Sequence, residues 1–192
     1  MFLEEPPASP ERATAYQEDL DEDGFVWGIT KLWAWNPEAR DLKNALLGQL
    51  TEHAGLTFRD RGILISAMAT AVDNSGCALA WGNRLAIAAG VETAAGVLRG
   101  EEPDTMSDRD RVLSRWARKV ARDPVSTTQA DVDELRDAGF SDPEIFSISF
   151  FVAMRIAFSA VNDALGAPLD LRLVETFPEE VVAAVDFGRP SA

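Results

Sequence analysis

Cysteine and histidine are nearly absent from this chain of 192 residues, which contains one of each, Cys77 and His53. A single cysteine cannot form an internal disulfide, so a disulfide-stabilised secreted scaffold is excluded. Protein zinc sites are usually built from several cysteine and histidine ligands, and two such residues do not suffice. We therefore expect no metal ion, and no motif indicates another cofactor.

Basic residues are also scarce: 18 Lys and Arg face 32 Asp and Glu, for a formal net charge of −14. Such a surface repels phosphate groups and anionic lipid, so we expect neither nucleic-acid nor membrane binding. The most apolar stretch, residues 145–161, is short for a bilayer span and contains Arg155, which predicts a buried core helix. No signal-peptide pattern follows Met1, so a cytoplasmic location is expected.

The patterning that is present is helical. Hydrophobic residues make up 46% of the chain, and Leu42, Leu46 and Leu50 recur every four residues. Residues with a preference for helix N-caps open the apolar segments, and glycines such as Gly55 and Gly90 end them. The predicted N-caps are Asn36, Thr57, Ser75, Ser107, Thr128 and Ser141. Strand alternation and hairpin signals are missing, so the predicted fold class is all-α, with orthogonal or bundled helices.

Composition divides the chain into three segments. Residues 1–22 combine prolines with a run of acidic side chains, which predicts a loose arm, either a solvated tail or an arm that wraps a partner subunit. Residues 23–170 carry the strong helix signals and form the predicted helical domain. Residues 171–192 form a C-terminal extension with a short helix expected from Pro178 to Val185.

Cys77 is the candidate reactive centre because it falls in the first turn of the helix predicted from Ser75. The thiolate is the nucleophilic form of cysteine, and unpaired N–H groups and the positive end of the helix dipole stabilise it there. At helical spacing Trp81 and Arg84 share a side with Cys77, so Trp81 could wall an apolar pocket and Arg84 could add positive charge. A free cysteine in an alanine-rich helix also fits a small buried hydrophobe.

Residues 73–86 read DNSGCALAWGNRLA. This segment resembles the core motif of the AhpD-like/carboxymuconolactone decarboxylase superfamily, in which a C-x-x-C pair begins a helix and a histidine follows four residues later. Residues 56–61, LTFRDR, resemble the L-[ST]-x-R-E-R helix entry of the same family. Two segments between residues 113 and 145 and the closing DALG resemble its uncharacterised peroxidase-related branch, so the likeness covers residues 25–170.

The resemblance implies an AhpD-like orthogonal helical bundle that assembles with copies of itself, from dimer to hexamer. Peroxidase members of the family reduce hydroperoxides through the cysteine pair. The second cysteine attacks the peroxide, the first resolves, and a Glu and a His relay protons. The decarboxylase branch acts on a lactone acid of aromatic catabolism and does not need a redox cysteine pair.

This sequence departs from the family pattern at each catalytic position. Cys77 matches the first motif cysteine, the second falls on Ala80, and the histidine falls on Arg84 with Asn83 beside it. The upstream glutamate position falls near Gly62. A dithiol cycle within one chain is therefore impossible, and Arg84 cannot replace the histidine because a guanidinium does not lose its proton.

The predicted site combines the motif helix with nearby acids. The predicted catalytic set is Cys77, Arg84, Asp60 and Asp73, and the predicted pocket wall is Ala80, Trp81 and Asn83. Asp60 and Asp73 flank the cysteine as candidate proton relays, with a helix-start charge and a turn residue as their structural alternatives. His53 is expected to act as a charge at a helix end and not as a catalytic base.

Two further features have both structural and functional interpretations. Arg155 lies inside an apolar helix, where a buried arginine needs a carboxylate or carbonyl partner. It is expected to be structural or at a subunit contact, with a substrate clamp as the alternative. Trp27, Trp33 and Trp35 precede the first long helix, either as core or interface anchors or as a lid over the Cys77 pocket.

Three functions follow as hypotheses. The first is a peroxidase-related thiol oxidoreductase, in which peroxide oxidises Cys77 and a small-molecule or protein thiol, or Cys77 of a second subunit, reduces it. The second is a non-redox enzyme of the decarboxylase or hydrolase type, in which Arg84 clamps a small carboxylic acid and an aspartate acts as acid or base. The third is a catalytically inactive oligomeric binding protein, which the loss of the usual catalytic set would suit.

Overall fold

A computed structural model describes residues 1–189, which form an all-α fold without a strand. Eleven α-helices follow one another along this part of the chain: α1 (Pro10–Asp23), α2 (Gly28–Trp33), α3 (Pro37–His53), α4 (Phe58–Ala71), α5 (Ser75–Ala89), α6 (Val91–Arg99), α7 (Asp108–Arg122), α8 (Gln129–Asp137), α9 (Asp142–Ala164), α10 (Leu171–Val174) and α11 (Glu179–Ala183). A short 3-10 turn, Pro124–Ser126, precedes α8.

Helix α4 occupies the centre of the fold. It packs between α5 and α7 and also contacts α6 and α9. Ile63, Leu64 and Met68 are completely enclosed, and burial of side chains of this size contributes roughly 1.5–3 kcal/mol each. A short turn after α4 leads directly into α5, so the central helix fixes the position of Cys77.

Side-chain caps begin most of the long helices at the predicted positions. Asn36 caps α3, where its Oδ1 accepts a hydrogen bond from Ala39 N at 3.1 Å. Capping boxes, in which the cap and the third helical residue exchange hydrogen bonds, open α4, α7, α8 and α9. The predicted cap of α5 is wrong by one residue, because Asn74 is the cap and Ser75 is already the first helical residue.

Two ion pairs link the starts of α4 and α7 reciprocally. Arg59 of α4 pairs with Asp110 of α7 at 2.8 Å, and Arg109 of α7 pairs with Asp60 of α4 at 3.1 Å. Both carboxylates are buried and belong to the capping boxes of their own helices. Burial alone would raise the pKa of Asp110, but hydrogen bonds from Arg59 and Ser107 hold that pKa below its ordinary value.

The N-terminal segment differs from the prediction, because residues 10–23 form helix α1 and not a loose arm. Ser9 caps this helix by accepting a hydrogen bond from Arg12 N at 3.1 Å. Asp19 ties it to the next segment by accepting a hydrogen bond from Trp27 N at 2.9 Å. The acidic composition suggested disorder, but glutamate, alanine and leucine are also good helix formers, and the cap starts a helix from them.

The C-terminal helix predicted from Pro178 to Val185 is present in shortened form as α11. Its Val181 is fully buried, and α11 packs against α5 and α6. Helices α2 and α10 were not predicted, because both are too short for a periodic pattern, and α2 has no side-chain cap. The last part of the predicted extension, residues 190–192, lies outside the described residues.

Helix α9 has one buried and one exposed apolar face. It is long and apolar enough to cross a membrane by length and composition alone, but its inner face packs on α3, α4 and α7. Ile148, Phe151 and Val152 are buried there, as the predicted core helix requires. The outer face is not buried, since Phe146 is 67% exposed and Phe150 is 38% exposed.

Candidate functional site

A cavity of about 810 Å³ opens beside the start of α5. Its walls come from α5, from the C-terminal half of α9 and the segment 166–170 that follows it, and from residues of the N-terminal part of the chain. Aromatic side chains line it, namely Phe2, Trp27, Trp81 and Phe158. This volume lies in the range of protein pockets that bind small molecules.

Cys77 lies on the wall of this cavity, in the first turn of α5. The residue is 6% exposed, so its sulfur can be reached only through the cavity. Asn74 Oδ1 accepts a hydrogen bond from Cys77 N at 2.6 Å and holds the start of the helix around the sulfur. The positive end of the α5 dipole favours negative charge at this position.

Two side chains of α9 contact the sulfur. The Ser159 hydroxyl donates a hydrogen bond to Cys77 Sγ at 3.4 Å, and Arg155 Nη2 lies 3.9 Å from the same atom. Because Arg155 and Ser159 are about one helical turn apart, α9 presents both from one face. A hydroxyl donor and a guanidinium are both groups that can stabilise negative charge on sulfur.

Arg155 is buried, and no carboxylate among the described side chains pairs with it. Its guanidinium carbon lies 4.9 Å from the centre of the Phe158 ring and 5.5 Å from that of Trp81, and its Nε has no hydrogen-bond partner within the described chain. Burial lowers the pKa of Arg155, and the charge of Cys77 opposes this shift. Sulfur and two aromatic faces therefore replace the expected carboxylate or carbonyl partner.

A second cation, Lys43 of α3, shares the Phe158 ring. Its Nζ lies 4.0 Å from the centre of that ring and 5.0 Å from the ring of Trp33. Burial, followed by repulsion from Arg155 and Arg40, lowers the pKa of Lys43 to about 8. At neutral pH Lys43 is therefore still mostly protonated and adds to the positive potential on this side of the cavity.

The structure brings together most of the predicted pocket wall. Ala80, Trp81 and Arg84 line the cavity together with Cys77. Arg84 is exposed, donates to Ala80 O at 3.3 Å and lies over the Trp81 ring at 5.2 Å. Asn83 is half-buried and does not line the cavity.

Asp60, Asp73 and His53 do not line the cavity. Asp60 lies in the first turn of α4, where it pairs with Arg109, roughly 16 Å of helix away from the end that precedes α5. Asp73 is exposed in the turn between α4 and α5, with a φ of 54°. His53 Nδ1 lies 2.8 Å from Ser147 Oγ. These residues have capping, turn and interhelical contacts, and the structure does not bring them to the sulfur.

Solved structures with this architecture span nearly the whole chain. An uncharacterized peroxidase-related protein from Silicibacter sp. TM1040 matches with a TM-score of 0.75 at 21% identity, covering 89% of this chain and 92% of the other. The alkylhydroperoxidase AhpD core of an uncharacterized peroxidase-related protein from Ralstonia eutropha JMP134 matches with a TM-score of 0.71 at 20% identity over 97% of each chain. The chain has the AhpD-like fold.

A third solved structure with the AhpD-like fold is the debrominase Bmp8, as a cysteine-to-alanine variant in complex with 2,3,4-tribromopyrrole. It matches with a TM-score of 0.70 at 13% identity over 95% of each chain. No protein-family model and no curated protein sequence matches the chain. At such low identity the three structures show the AhpD-like fold alone, which confirms the fold implied by residues 73–86.

The sulfur of this AhpD-like chain draws its polar neighbours from α9 and not from the motif helix. Ala80 and Arg84 stand where the family motif has its second cysteine and histidine, whereas Arg155 and Ser159 contact Cys77. The contact of Ser159 with Cys77 was not predicted. The spacing of this serine from Arg155 in an apolar helix was a visible signal, but nothing in the sequence linked α9 to a cysteine about 80 positions earlier in the chain.

Asn74 joins the two helices of the site in the AhpD-like fold. Besides capping α5, it donates from Nδ2 to Asp163 Oδ2 at 2.7 Å and to Ser159 O at 3.4 Å. This role of Asn74 was not predicted from the sequence. One buried amide therefore fixes the position of Cys77 relative to α9.

The three N-terminal tryptophans have separate positions around the AhpD-like core. Trp27 lines the cavity. Trp33 stacks on Phe158 at 5.2 Å and donates from its indole nitrogen to Asn162 Oδ1 at 2.9 Å. Trp35 is exposed. Trp27 thus suits the predicted lid, and Trp33 suits a core anchor.

Proposed function

We propose that this AhpD-like protein is a peroxidase-related thiol oxidoreductase that acts through Cys77. The observation that carries the proposal is the position of Cys77 Sγ on a cavity wall, within reach of the Ser159 hydroxyl and the Arg155 guanidinium. The sulfur is buried but lies on a cavity wall beside a cation, and an electropositive environment of this kind is typical of reactive cysteines.

The oxidative step needs one thiolate and one hydroperoxide. The thiolate attacks the distal peroxide oxygen, the O–O bond breaks, and the alkoxide takes a proton from water to leave as an alcohol. Cys77 becomes a sulfenic acid, so sulfur loses two electrons and the peroxide gains them. Arg155 supports this step because its charge lies next to the sulfur and can stabilise the developing alkoxide.

The reductive step needs a thiol from outside the chain, because the sequence has one cysteine. An incoming thiol condenses with the sulfenic acid to give a mixed disulfide and water. A second thiol then attacks the mixed disulfide, which restores the Cys77 thiol and joins the two reductant thiols in a disulfide. Direct pairing with Cys77 of a second subunit is disfavoured, because two sulfurs must approach to about 2 Å and this one lies on an internal cavity wall.

The cavity supports an organic hydroperoxide as the substrate. Hydrogen peroxide needs neither this volume nor aromatic walls, whereas Trp81 and Phe158 offer flat apolar faces beside the sulfur. We expect cumene hydroperoxide to be consumed faster than hydrogen peroxide at equal concentration.

Stopped-flow consumption of cumene hydroperoxide with added dithiothreitol tests the proposal. Wild type should consume the hydroperoxide over repeated turnovers, and Cys77→Ser should not. Arg122→Ala, which removes an exposed cation from α7, should consume it at the wild-type rate. Equal rates for wild type and Cys77→Ser would overturn the proposal and favour an inactive binding protein. A dimedone adduct on Cys77, detected by mass spectrometry, reports the sulfenic acid directly.

Reductive dehalogenation of a small aromatic compound is a second candidate, favoured by the aromatic rings that flank the cysteine. In this reaction the thiolate takes the halogen from carbon and the ring carbon takes a proton. The resulting sulfenyl halide then reacts with an external thiol, which releases halide as the mixed disulfide forms. Bromide release from a polybrominated pyrrole by wild type, and not by Cys77→Ser, would support this candidate.

Self-association and a cytoplasmic location belong to the same proposal. The exposed apolar outer face of α9, with Phe146 and Phe150, supports association with a second copy of the chain. Light scattering after size-exclusion chromatography measures the assembly, and Phe146→Glu should lower its mass. An unchanged monomer mass for wild type and variant would contradict it.

A further inference from the structure

Building on the thiol oxidoreductase function proposed above, we propose that the reductant of oxidised Cys77 is a small thiol that carries a carboxylate, and that Arg155 binds this carboxylate. The proposal names the chemical class of the second substrate and gives Arg155 a role that changes with the oxidation state of the sulfur. Three sets of observations carry it.

The first observation concerns access. Cys77 is nearly buried, and the way to its sulfur is a cavity of about 810 Å³ walled by α5, α9 and chain segments from both ends of the protein. A protein dithiol would have to insert a loop past these walls. A thiol of a few heavy atoms is small compared with the cavity volume, so the site favours a small reductant.

The second observation is the incomplete pairing of Arg155. The side chain is 8% exposed and lines the cavity, and its Nε has no hydrogen-bond partner among the described residues. Guanidinium groups bind carboxylates with two parallel N–H donors. A buried donor without a partner costs free energy, which a carboxylate ligand would recover.

The third observation is the charge balance of the sulfur. Before oxidation, Cys77 Sγ is the group in contact with Arg155, and as the attacking thiolate it supplies a negative counter-charge. The sulfenic acid is neutral, so oxidation removes this counter-charge and leaves the guanidinium free to bind another anion. A carboxylate thiol should therefore bind more weakly before oxidation and more tightly afterwards, when it is needed.

The cations on the two aromatic rings beside the sulfur agree with this direction, whereas the cavity walls also carry acidic residues. Lys43 lies on the same Phe158 ring as Arg155, and Arg84 lies on the Trp81 ring, so positive groups surround the sulfur. The acidic residues of the cavity belong to the N-terminal segment, to the end of α9 and to the segment after it; they are Asp19, Glu22, Asp163 and Asp170. Asp163, the acid bound to Asn74, is about two helical turns beyond Arg155.

Three thiols with the same two-methylene spacer between sulfur and the polar group separate the charge preference from spacer length, namely 3-mercaptopropionate, 2-mercaptoethanol and cysteamine. They end in a carboxylate, a hydroxyl and an ammonium group. Cys77 is first oxidised with one equivalent of cumene hydroperoxide, and loss of the dimedone-reactive sulfenic acid is followed after each thiol is added. Rates are compared per thiolate concentration, because the three thiols ionise differently.

We expect 3-mercaptopropionate to react about tenfold faster than cysteamine, a difference of about 1.4 kcal/mol, with 2-mercaptoethanol between them. Arg155→Met should remove this order. Arg155→Lys, which keeps the charge, should retain part of the rate difference among the three thiols. This variant keeps the test decisive if Arg155→Met fails to fold. Arg122→Ala should keep the full order, and added salt should weaken it.

The outcomes distinguish this inference from the function on which it rests. If Cys77 forms a sulfenic acid but the three thiols reduce it at equal rates, or if the order is the same in Arg155→Met, the carboxylate preference is wrong and the oxidoreductase function stands. If no sulfenic acid forms, both are wrong.

Discussion

Replacing Asn74 by alanine should damage both the fold and the reactivity of Cys77. The substitution removes two hydrogen bonds. One is the N-cap of α5, in which Asn74 Oδ1 accepts from Cys77 N at 2.6 Å, and the other is the bond of 2.7 Å from Asn74 Nδ2 to Asp163 Oδ2. Loss of an N-cap costs about 1 kcal/mol. Loss of the hydrogen bond to Asp163 costs about 1 kcal/mol more, less than for a buried charged group because Asp163 is half-exposed. The expected decrease in unfolding free energy is therefore about 2 kcal/mol.

Asn36→Ala is the matched control, because it makes the same substitution at the N-cap of α3. Asn36 is exposed and caps through one hydrogen bond to Ala39 N. We expect a cost of about 1 kcal/mol there. Urea denaturation of the two variants measures the difference, and a cost of 2 kcal/mol corresponds to a decrease in Tm of about 4–8 °C for a chain of this length.

Alkylation by iodoacetamide in the native state measures the effect on the sulfur. Asn74→Ala should slow it, because the start of α5 and its N–H groups no longer hold a fixed position beside Cys77. Asn36→Ala should leave it unchanged. If the two variants lose the same stability and alkylate at the same rate, Asn74 is an ordinary cap and does not position the reactive residue.

Three further predictions concern the charges of the fold and site. Lys43 has a pKa lowered to about 8 in the folded protein, so between pH 8 and pH 10 the unfolded chain binds more protons than the folded one. The free energy of unfolding should therefore rise with pH in that window. Urea denaturation should show a smaller rise for Lys43→Met than for wild type, and an equal rise would contradict this prediction. Ser159→Ala should slow iodoacetamide alkylation of Cys77 about fivefold by removing a hydrogen bond worth about 1 kcal/mol to the thiolate, with no comparable change in Tm. Arg59→Met should lower the free energy of unfolding, measured by urea denaturation, by about 2 kcal/mol. This is less than for a fully buried ion pair, because Arg59 is partly exposed whereas Asp110 is buried. An unchanged denaturation midpoint would refute a stabilising role for the reciprocal ion pairs.

The helices with local signals could be predicted from sequence. Thr57, Ser107 and Ser141 each begin a capping box that uses a residue three positions later, so the information lies within one turn. The start of α5 was off by one residue, because Asn74 and Ser75 are both good caps. Helix α1 was missed because the composition of residues 1–22 outweighed its helix-forming residues.

The site could be predicted only along its own helix. Cys77, Ala80, Trp81 and Arg84 follow one another at helical spacing, so placing them on one wall needed only the period of α5. The contacts of Ser159 and Lys43 depend on how α9 and α3 pack, which no short-range pattern contains. Asp60 is absent from the cavity because it lies in the first turn of α4, whereas the cavity lies near the opposite end of that helix, which precedes α5.

The buried guanidinium of Arg155 serves the proposed function without a gain in the stability of the fold. An apolar helix gains nothing from an arginine in its inner face, and an isosteric hydrophobic residue there is often neutral or stabilising. The partner of Arg155 is the sulfur of Cys77, which can be protonated as a neutral thiol when the guanidinium is removed, so that no buried charge is left behind. Selection for stability alone would therefore replace Arg155 by methionine or leucine. Retention of the arginine in a laboratory evolution experiment that selects for thiol chemistry, and its loss in one that selects only for folding, would show which demand the residue serves.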